Sequence, residues 1–106
     1  MIPTPANATV WRIYTEAHAN LPRLVSSAFN GATLIPAIGL FRGLRKSATV
    51  IEILTLDSDI HAPVRIANLA ESVRQANSQQ SVLVTRHPTF MVELVETPAT
   101  PLPVVQ

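Results

Sequence analysis

The stretch "GLFRGLRKSATVIEI", residues 39–53, decides how the rest of the chain is interpreted. It begins with two glycines and three cations and continues into a run of mainly β-branched, apolar residues. A phosphate-binding loop of the Walker type requires four residues between its glycines, then Gly-Lys and a helix. Here three residues separate Gly39 from Gly43, and the run that follows favours a strand. The stretch therefore predicts a β-hairpin and excludes a Walker loop.

The strand after this turn, residues 47–56, is predicted to be central in a sheet and covered on both faces. Its alternate positions are apolar on both sides: Val50, Leu54 and Leu56 on one face, Ile51 and Ile53 on the other. The preceding residues 32–43 contain Pro36 and Gly39, which oppose both a helix and a regular central strand. We therefore expect an edge strand there.

The remaining elements follow from residue type and periodicity. Residues 8–17 read as a first strand, with Trp11 and Ile13 on one face and Val10, Arg12 and Tyr14 on the other. Apolar stripes at helical spacing predict helices near 22–29 and 64–77. Residues 80–88 are predicted as a strand, and 89–96 as a fifth strand or its extension, broken at His87–Pro88.

The order β-α-β-β-α-β predicts an α+β fold, a ferredoxin-like βαββαβ sandwich with an extra C-terminal strand. The length of 106 residues fits one domain, which we place at residues 10–96. An extended leader is expected at 1–9 and a Pro-rich tail at 97–106. Because two helices cover only one face of a sheet, the two-sided apolar strand predicts a closed homo-oligomer.

Composition excludes several kinds of protein and site. A formal net charge of +1 opposes nucleic acid as a partner, since backbone-driven binding requires a strongly basic face. The chain has no cysteine, which excludes disulfides, thiolate catalysis and cysteine-based zinc sites. The N-terminus lacks the pattern of a signal peptide, and no apolar run approaches a membrane span. We therefore expect a cytoplasmic protein without a membrane partner.

The segments "TLIPAIGLFRG" and "SATVIEILT", followed by a helix and "SVLVT", resemble the CutA and PII signal-transduction group of ferredoxin-like trimers. The resemblance lies in the order and spacing of elements over residues 10–88, and the loop residues of either family are not matched. It implies a trimer whose hairpins cross between subunits. In the PII group it also implies effectors in clefts between subunits near the hairpin loop.

Arg42, Arg45 and Lys46 are therefore the predicted ligand-binding residues. They hold three of the eight basic residues of the chain within five positions, and such clusters bind anions or phosphate. The alternative interpretation is a solvated turn that keeps a sheet edge soluble.

Other polar residues are given structural roles. Asp57, Asp59 and His61 alternate in "DSDIH" but lack the carboxylates and glycine of a calcium loop, so we expect a loop that caps the next helix. Glu52 lies in the apolar strand and requires a partner, for which Arg42 across the hairpin is predicted. We predict no catalytic residue, no metal ligand and no cofactor.

The sequence thus favours a homo-oligomeric, non-enzymatic protein, a sensor or a sequestering protein, for a small anionic metabolite or nucleotide at intersubunit clefts, with a trimer favoured. One alternative is a small cofactor-free ferredoxin-like enzyme with His18 or His87 as acid and base. A second alternative is a protein-interaction adaptor that uses a sheet edge or the Pro-rich tail.

Overall fold

The computed structural model describes residues 6–91, which form four strands and two helices in the predicted order β-α-β-β-α-β. The elements are β1 (Ala6–Glu16), α1 (Leu21–Ala28), β2 (Thr33–Phe41), β3 (Leu44–Leu56), α2 (Ala62–Ala76) and β4 (Leu83–Met91). The α+β class and the ferredoxin-like arrangement are therefore confirmed. No helix in this part of the chain is long and apolar enough to cross a membrane.

The strands form one antiparallel sheet in the order β2-β3-β1-β4, which places β3 in the interior as predicted. In the central pair Trp11 lies opposite Ile53 and Ile13 opposite Ile51. Pro36 lies in β2 and Pro88 in β4, the two edge strands. Edge strands tolerate a residue without an N–H group because one of their sides makes no ladder bonds.

Two boundaries differ from the sequence-based prediction. The predicted break at His87–Pro88 is wrong, since β4 runs through both residues to Met91. The ladder with β1 continues past the proline because β4 is an edge strand. Thr89–Met91, expected in the extra C-terminal strand, continue β4, and the rest of that strand and the tail lie outside the described residues. β1 begins at Ala6, within the stretch assigned to the leader.

The core lies between the two helices and one face of the sheet, which we call the helix face. Its fully buried members are the isoleucines of β1 and β3 with apolar residues of both helices: Ile13, Ile51, Ile53, Leu21, Ile66 and Val73. Trp11 is also buried there, and its indole N–H donates to Thr55 Oγ1 at 2.9 Å. A buried indole N–H without an acceptor would be costly, so Thr55 allows the tryptophan to occupy the core.

Arg65 of α2 connects the two helices. Its guanidinium donates to the carbonyl oxygen of Ala28 at 2.5 Å, at the last residue of α1. The same group lies over the ring of Phe29, 4.5 Å from its centroid, and within 3.5 Å of Asp59 Oδ2. One side chain therefore supplies a partner for a free carbonyl at the end of α1 and joins it to the turn before α2.

The opposite face of the sheet has no helix over it, and we call it the open face. It carries the even-numbered residues of β1 and β3, as the alternation of a strand requires. Several of its large apolar side chains are exposed: Tyr14, Ile35, Leu54, Leu56 and Leu83. The sequence-based expectation that two helices leave one apolar face without cover is confirmed for the single chain.

Candidate functional site

The hairpin between β2 and β3 turns on two residues, Arg42 and Gly43. Both have positive φ, 51° and 79° respectively, which is the backbone of a two-residue type I′ turn. The Arg42 guanidinium lies 5.3 Å from the centre of the Phe41 ring. The connection is thus shorter than predicted, because β3 begins at Leu44, directly after Gly43, and not at residue 47.

Arg45 and Lys46 therefore occupy strand positions, opposite Leu40 and Gly39 respectively. Consecutive side chains in a strand point to opposite faces, so Arg45 lies on the helix-face side and Lys46 on the open face. The expectation that the three cations project together from one short loop is wrong. The pairing of the strands extends to the turn and separates them.

Lys46 bonds to Glu16 at the end of β1. The distance from Nζ to Glu16 Oε1 is 3.2 Å, and the two side chains are 64% and 43% exposed. Exposed pairs of this kind contribute little to stability. The pair fixes a cation and a carboxylate beside each other on the open face.

A groove of about 770 Å³ lies beside this pair, and we call it the hairpin groove. Its floor is formed by small residues of the hairpin strands: Ala37, Gly39 and Ala48. Ala37 lies directly opposite Ala48, and Gly39 opposite Lys46. Larger residues at these three positions would fill the space, so the groove exists because the side chains there are small.

Aromatic and polar groups enclose the groove. Tyr14 of β1 and Phe41 at the hairpin end are its aromatic lining residues. The connection from α2 to β4, residues 77–81, forms the far wall and contributes amide and hydroxyl side chains. Tyr14, Glu16 and residues 77–81 have no ligand role in the prediction from sequence, because their meeting with the hairpin depends on the whole fold.

The far wall is attached to the end of β1 by side-chain hydrogen bonds. The Thr15 hydroxyl donates to Gln79 Oε1 at 2.5 Å. The Asn77 amide donates to Thr15 Oγ1 at 2.7 Å and to the carbonyl oxygen of Glu16 at 2.8 Å. Because Thr15 is buried, these bonds hold residues 77–79 in place against the sheet.

The centre of the open face carries one ion pair. Arg12 and Glu52 are direct partners in the register of β1 and β3, and Arg12 Nε donates to Glu52 Oε2 at 2.9 Å. The hydrogen bond that Arg12 donates to Glu52 raises the pKa of Arg12 above its usual value. The predicted pairing of Glu52 with Arg42 is wrong, because Glu52 lies opposite Thr33 in β2 while Arg42 lies at the distant turn.

The histidines named in the enzymatic alternative lie away from the hairpin groove. His18 accepts the backbone N–H of Asn20 at Nδ1, 3.0 Å away, in the connection between β1 and α1. His87 is exposed on the open face, opposite Val10. Neither lines the groove.

The "DSDIH" segment forms the turn before α2, but the predicted capping role is not borne out, because the N-cap residue His61 makes no side-chain capping bond. Asp59 Oδ1 accepts the backbone N–H of His61, the residue before α2, and Asp59 Oδ2 lies near Arg65. Within residues 6–91 no three His, Cys, Asp or Glu residues are grouped so that they would hold a metal ion.

Comparisons with known proteins extend the description of the fold. No family model matches the chain, and no curated protein matches its sequence. A phage SAM lyase in its apo state is similar in structure, with a TM-score of 0.56 and 13% identity over 91% of this chain and 98% of that one. CutA from Synechococcus elongatus PCC7942 is similar with a TM-score of 0.54 and 10% identity, over 87% of this chain and 86% of that one. At such identities the likeness shows the fold alone, and it agrees with the CutA-like arrangement of elements.

Proposed function

We propose that this protein is a homo-oligomeric, non-enzymatic sensor or sequestering protein for a small anionic metabolite or nucleotide. The ligand lies in the hairpin groove, at a cleft that a neighbouring subunit completes. The observation that carries the proposal is the groove itself, which lies beside the hairpin and has a volume of about 770 Å³. This volume is within the range of about 300–1,000 Å³ typical of small-molecule sites.

The proposed oligomer is a closed one, with a trimer favoured by the resemblance to CutA and PII proteins. Its support is the open face, where Tyr14, Leu54 and Leu83 are at least a third exposed in the single chain. Burying such a face against a second copy removes apolar surface from water, which is the main driving force of association. The hairpin groove shares Tyr14 with that face, so the same interface would bring another subunit to the groove.

The cations of the hairpin remain the proposed contacts for the anionic groups. Lys46 lines the groove, while Arg42 and Arg45 lie at and beside the turn. In a closed oligomer each hairpin recurs by symmetry, so Arg42 and Arg45 of one subunit are proposed to approach the groove of the next. Each charge-assisted hydrogen bond then contributes roughly 1.5–3 kcal/mol.

The test combines native mass spectrometry with calorimetric titration of a nucleotide panel. We expect an oligomer, with ligand bound in proportion to subunits, and a large loss of affinity in Arg45→Ala/Lys46→Ala with unchanged folding. A matched control is Arg23→Ala, which removes an exposed cation of α1 far from the hairpin. A stable monomer, or a wild-type protein that binds none of the panel, would contradict the proposal.

A second candidate is an enzyme that acts on S-adenosylmethionine, as the phage SAM lyase does by its name. Two observations favour it. The structural similarity extends over 98% of the phage lyase, so no part of that fold is missing here. The hairpin groove also holds a carboxylate and an ammonium group side by side, which suits a substrate that carries charges of both signs.

The enzymatic candidate has its own test. A lyase breaks a bond of its substrate without adding water, so the masses of the products add up to the mass of S-adenosylmethionine. Incubation with the purified protein, followed by mass spectrometry, distinguishes this outcome from hydrolysis. Unchanged substrate after prolonged incubation with stoichiometric protein would remove the candidate.

A further inference from the structure

The pair Glu16 and Lys46 supplies all the side-chain charge along the described lining of the hairpin groove. The other lining residues are apolar, aromatic, amide or hydroxyl side chains, so the net side-chain charge of the groove in one subunit is zero. Glu16 and Lys46 lie 3.2 Å apart, so a ligand group with a single charge is attracted by one of them and repelled by the other. A group that carries both charges meets two partners.

We propose that this pair binds the zwitterionic end of a ligand, the α-amino and α-carboxylate groups of an amino acid. The ligand carboxylate accepts from Lys46 Nζ, and the ligand ammonium donates to the carboxylate of Glu16. Four charges then alternate in sign around a ring, and the bond between Glu16 and Lys46 is retained. The proposal rests on the proposed function for the position of the ligand site, the hairpin groove, and it replaces the purely anionic ligand of that function by one that carries charges of both signs.

Exposure and flexibility make the pair suitable for this role. Both side chains are long and at least 43% exposed, and one bond of 3.2 Å joins them. Their rearrangement on binding therefore loses little stability. Binding also removes water from the site, which strengthens each of the four charge contacts.

The rest of the groove predicts what the amino-acid group is attached to. Glu16 and Lys46 lie at the middle of the groove, beside the floor of Ala37, Gly39 and Ala48. Phe41 lines the groove at the hairpin end and Tyr14 at the opposite end. This space accepts a flat or apolar group, and aromatic side chains stack on such groups. The ligand class is thus an amino acid joined to a larger aromatic or nucleoside group, and a free amino acid would leave most of the groove unfilled.

Three probes test this inference by calorimetric titration: S-adenosylmethionine, methylthioadenosine and methionine. The second probe keeps the nucleoside of the first but lacks its amino-acid group, and the third keeps only the amino acid. We expect S-adenosylmethionine to bind at least tenfold more tightly than either of the others. Glu16→Gln and Lys46→Gln should each weaken its binding at least tenfold and leave methylthioadenosine unchanged.

Two further variants control the experiment. Arg23→Gln removes an exposed cation of α1 that does not line the groove and should leave all three affinities unchanged. Glu16→Lys/Lys46→Glu keeps the ion pair and the net charge but exchanges the two sites, so it should fold normally and lose affinity for S-adenosylmethionine. Melting temperatures confirm the folding of each variant.

The outcomes separate this inference from the proposed function. Equal affinity for S-adenosylmethionine and methylthioadenosine, unaffected by the Glu16 and Lys46 variants, would overturn the role of the pair and leave the groove as a ligand site. Binding of a nucleotide panel with no binding of any of the three probes would overturn the inference alone. Absence of binding by every compound would overturn both.

Discussion

Arg12 and Glu52 face each other across the two central strands, and their side chains meet at 2.9 Å in the middle of an otherwise largely apolar open face. In the single chain both are about one third exposed, so the pair contributes little to folding. In the proposed oligomer a second copy covers the face, and the same pair becomes buried. A buried charge that lacks its partner is strongly unfavourable.

Glu52→Ala should therefore weaken the oligomer much more than it destabilises the folded monomer. We expect a rise of at least tenfold in the dissociation constant, because Arg12 is left without a partner in the interface. Sedimentation velocity over a range of concentrations measures this effect. Arg12→Met/Glu52→Leu should restore association, and a single variant that assembles like the wild type would place the interface elsewhere.

Filling the floor of the hairpin groove should abolish ligand binding without affecting the fold. Ala48→Leu adds a side chain directly over the space opposite Ala37. Because Ala48 is only partly buried and lies outside the core, the melting temperature should change little. Titration with the tightest compound of the nucleotide panel should show at least a tenfold loss of affinity.

Ser47→Leu is the matched control for this substitution. It makes the neighbouring residue larger by a similar amount. Ser47 also lines the groove, but its exposed side chain points to the opposite side of the strand from Ala48, away from the floor. Its affinity should equal that of the wild type. Equal effects of the two substitutions would mean that the loss reflects a distorted hairpin.

The fold should be sensitive to a methyl group at Gly43, in the hairpin turn, and tolerant of one at Gly31, before β2. Gly43 has φ of +79° and no atom near its missing side chain, so Gly43→Ala costs only backbone strain, roughly 1–2 kcal/mol. Gly31 has similar open space without a positive φ, so Gly31→Ala should be neutral or slightly stabilising. Urea denaturation of the two variants measures the difference, and equal midpoints would contradict the type I′ turn.

Glu71 provides a pH-dependent contribution to the end of α2. Hydrogen bonds from Arg74, and then from Gln75, lower the pKa of Glu71 to about 2 from an ordinary value of 4.5. Since the pKa is lower in the folded state, the stabilisation is fully present above pH 4.5 and is lost as the pH falls toward 2. NMR titration of the Glu71 side chain measures it directly. In Arg74→Gln the pKa should return toward 4.5.

The fold was largely predictable from local patterns. Residue type and spacing were enough to predict strand β3, which is apolar on both faces, and the two helices. All three elements were placed within a few residues of their bounds in the structure. The break expected at His87–Pro88 was wrong for a nonlocal reason. A proline ends a central strand but not an edge strand, and the order of strands is not visible in one sequence.

The candidate site was less predictable, because it depends on register. The turn at Arg42–Gly43 has no Asn-Gly or Asp-Gly signal, so a longer loop was expected and the cations were placed together. The partner of Glu52 is Arg12, which lies 40 residues earlier and opposite Glu52 only when β1 and β3 are paired. Residues 77–81 reach the groove because Asn77 and Gln79 bond to Thr15, which lies 62 and 64 positions earlier in the sequence.

The contacts of Arg65 bear on how the helical layer opens. An α-helix of eight residues is too short to persist alone in water, so α1 depends on its neighbours for its structure. Its last residue and the adjoining aromatic ring are both held by one side chain of α2. We therefore expect amide protons of α1 and of the first turns of α2 to exchange with solvent as one cooperative unit, with the layer opening in a single step.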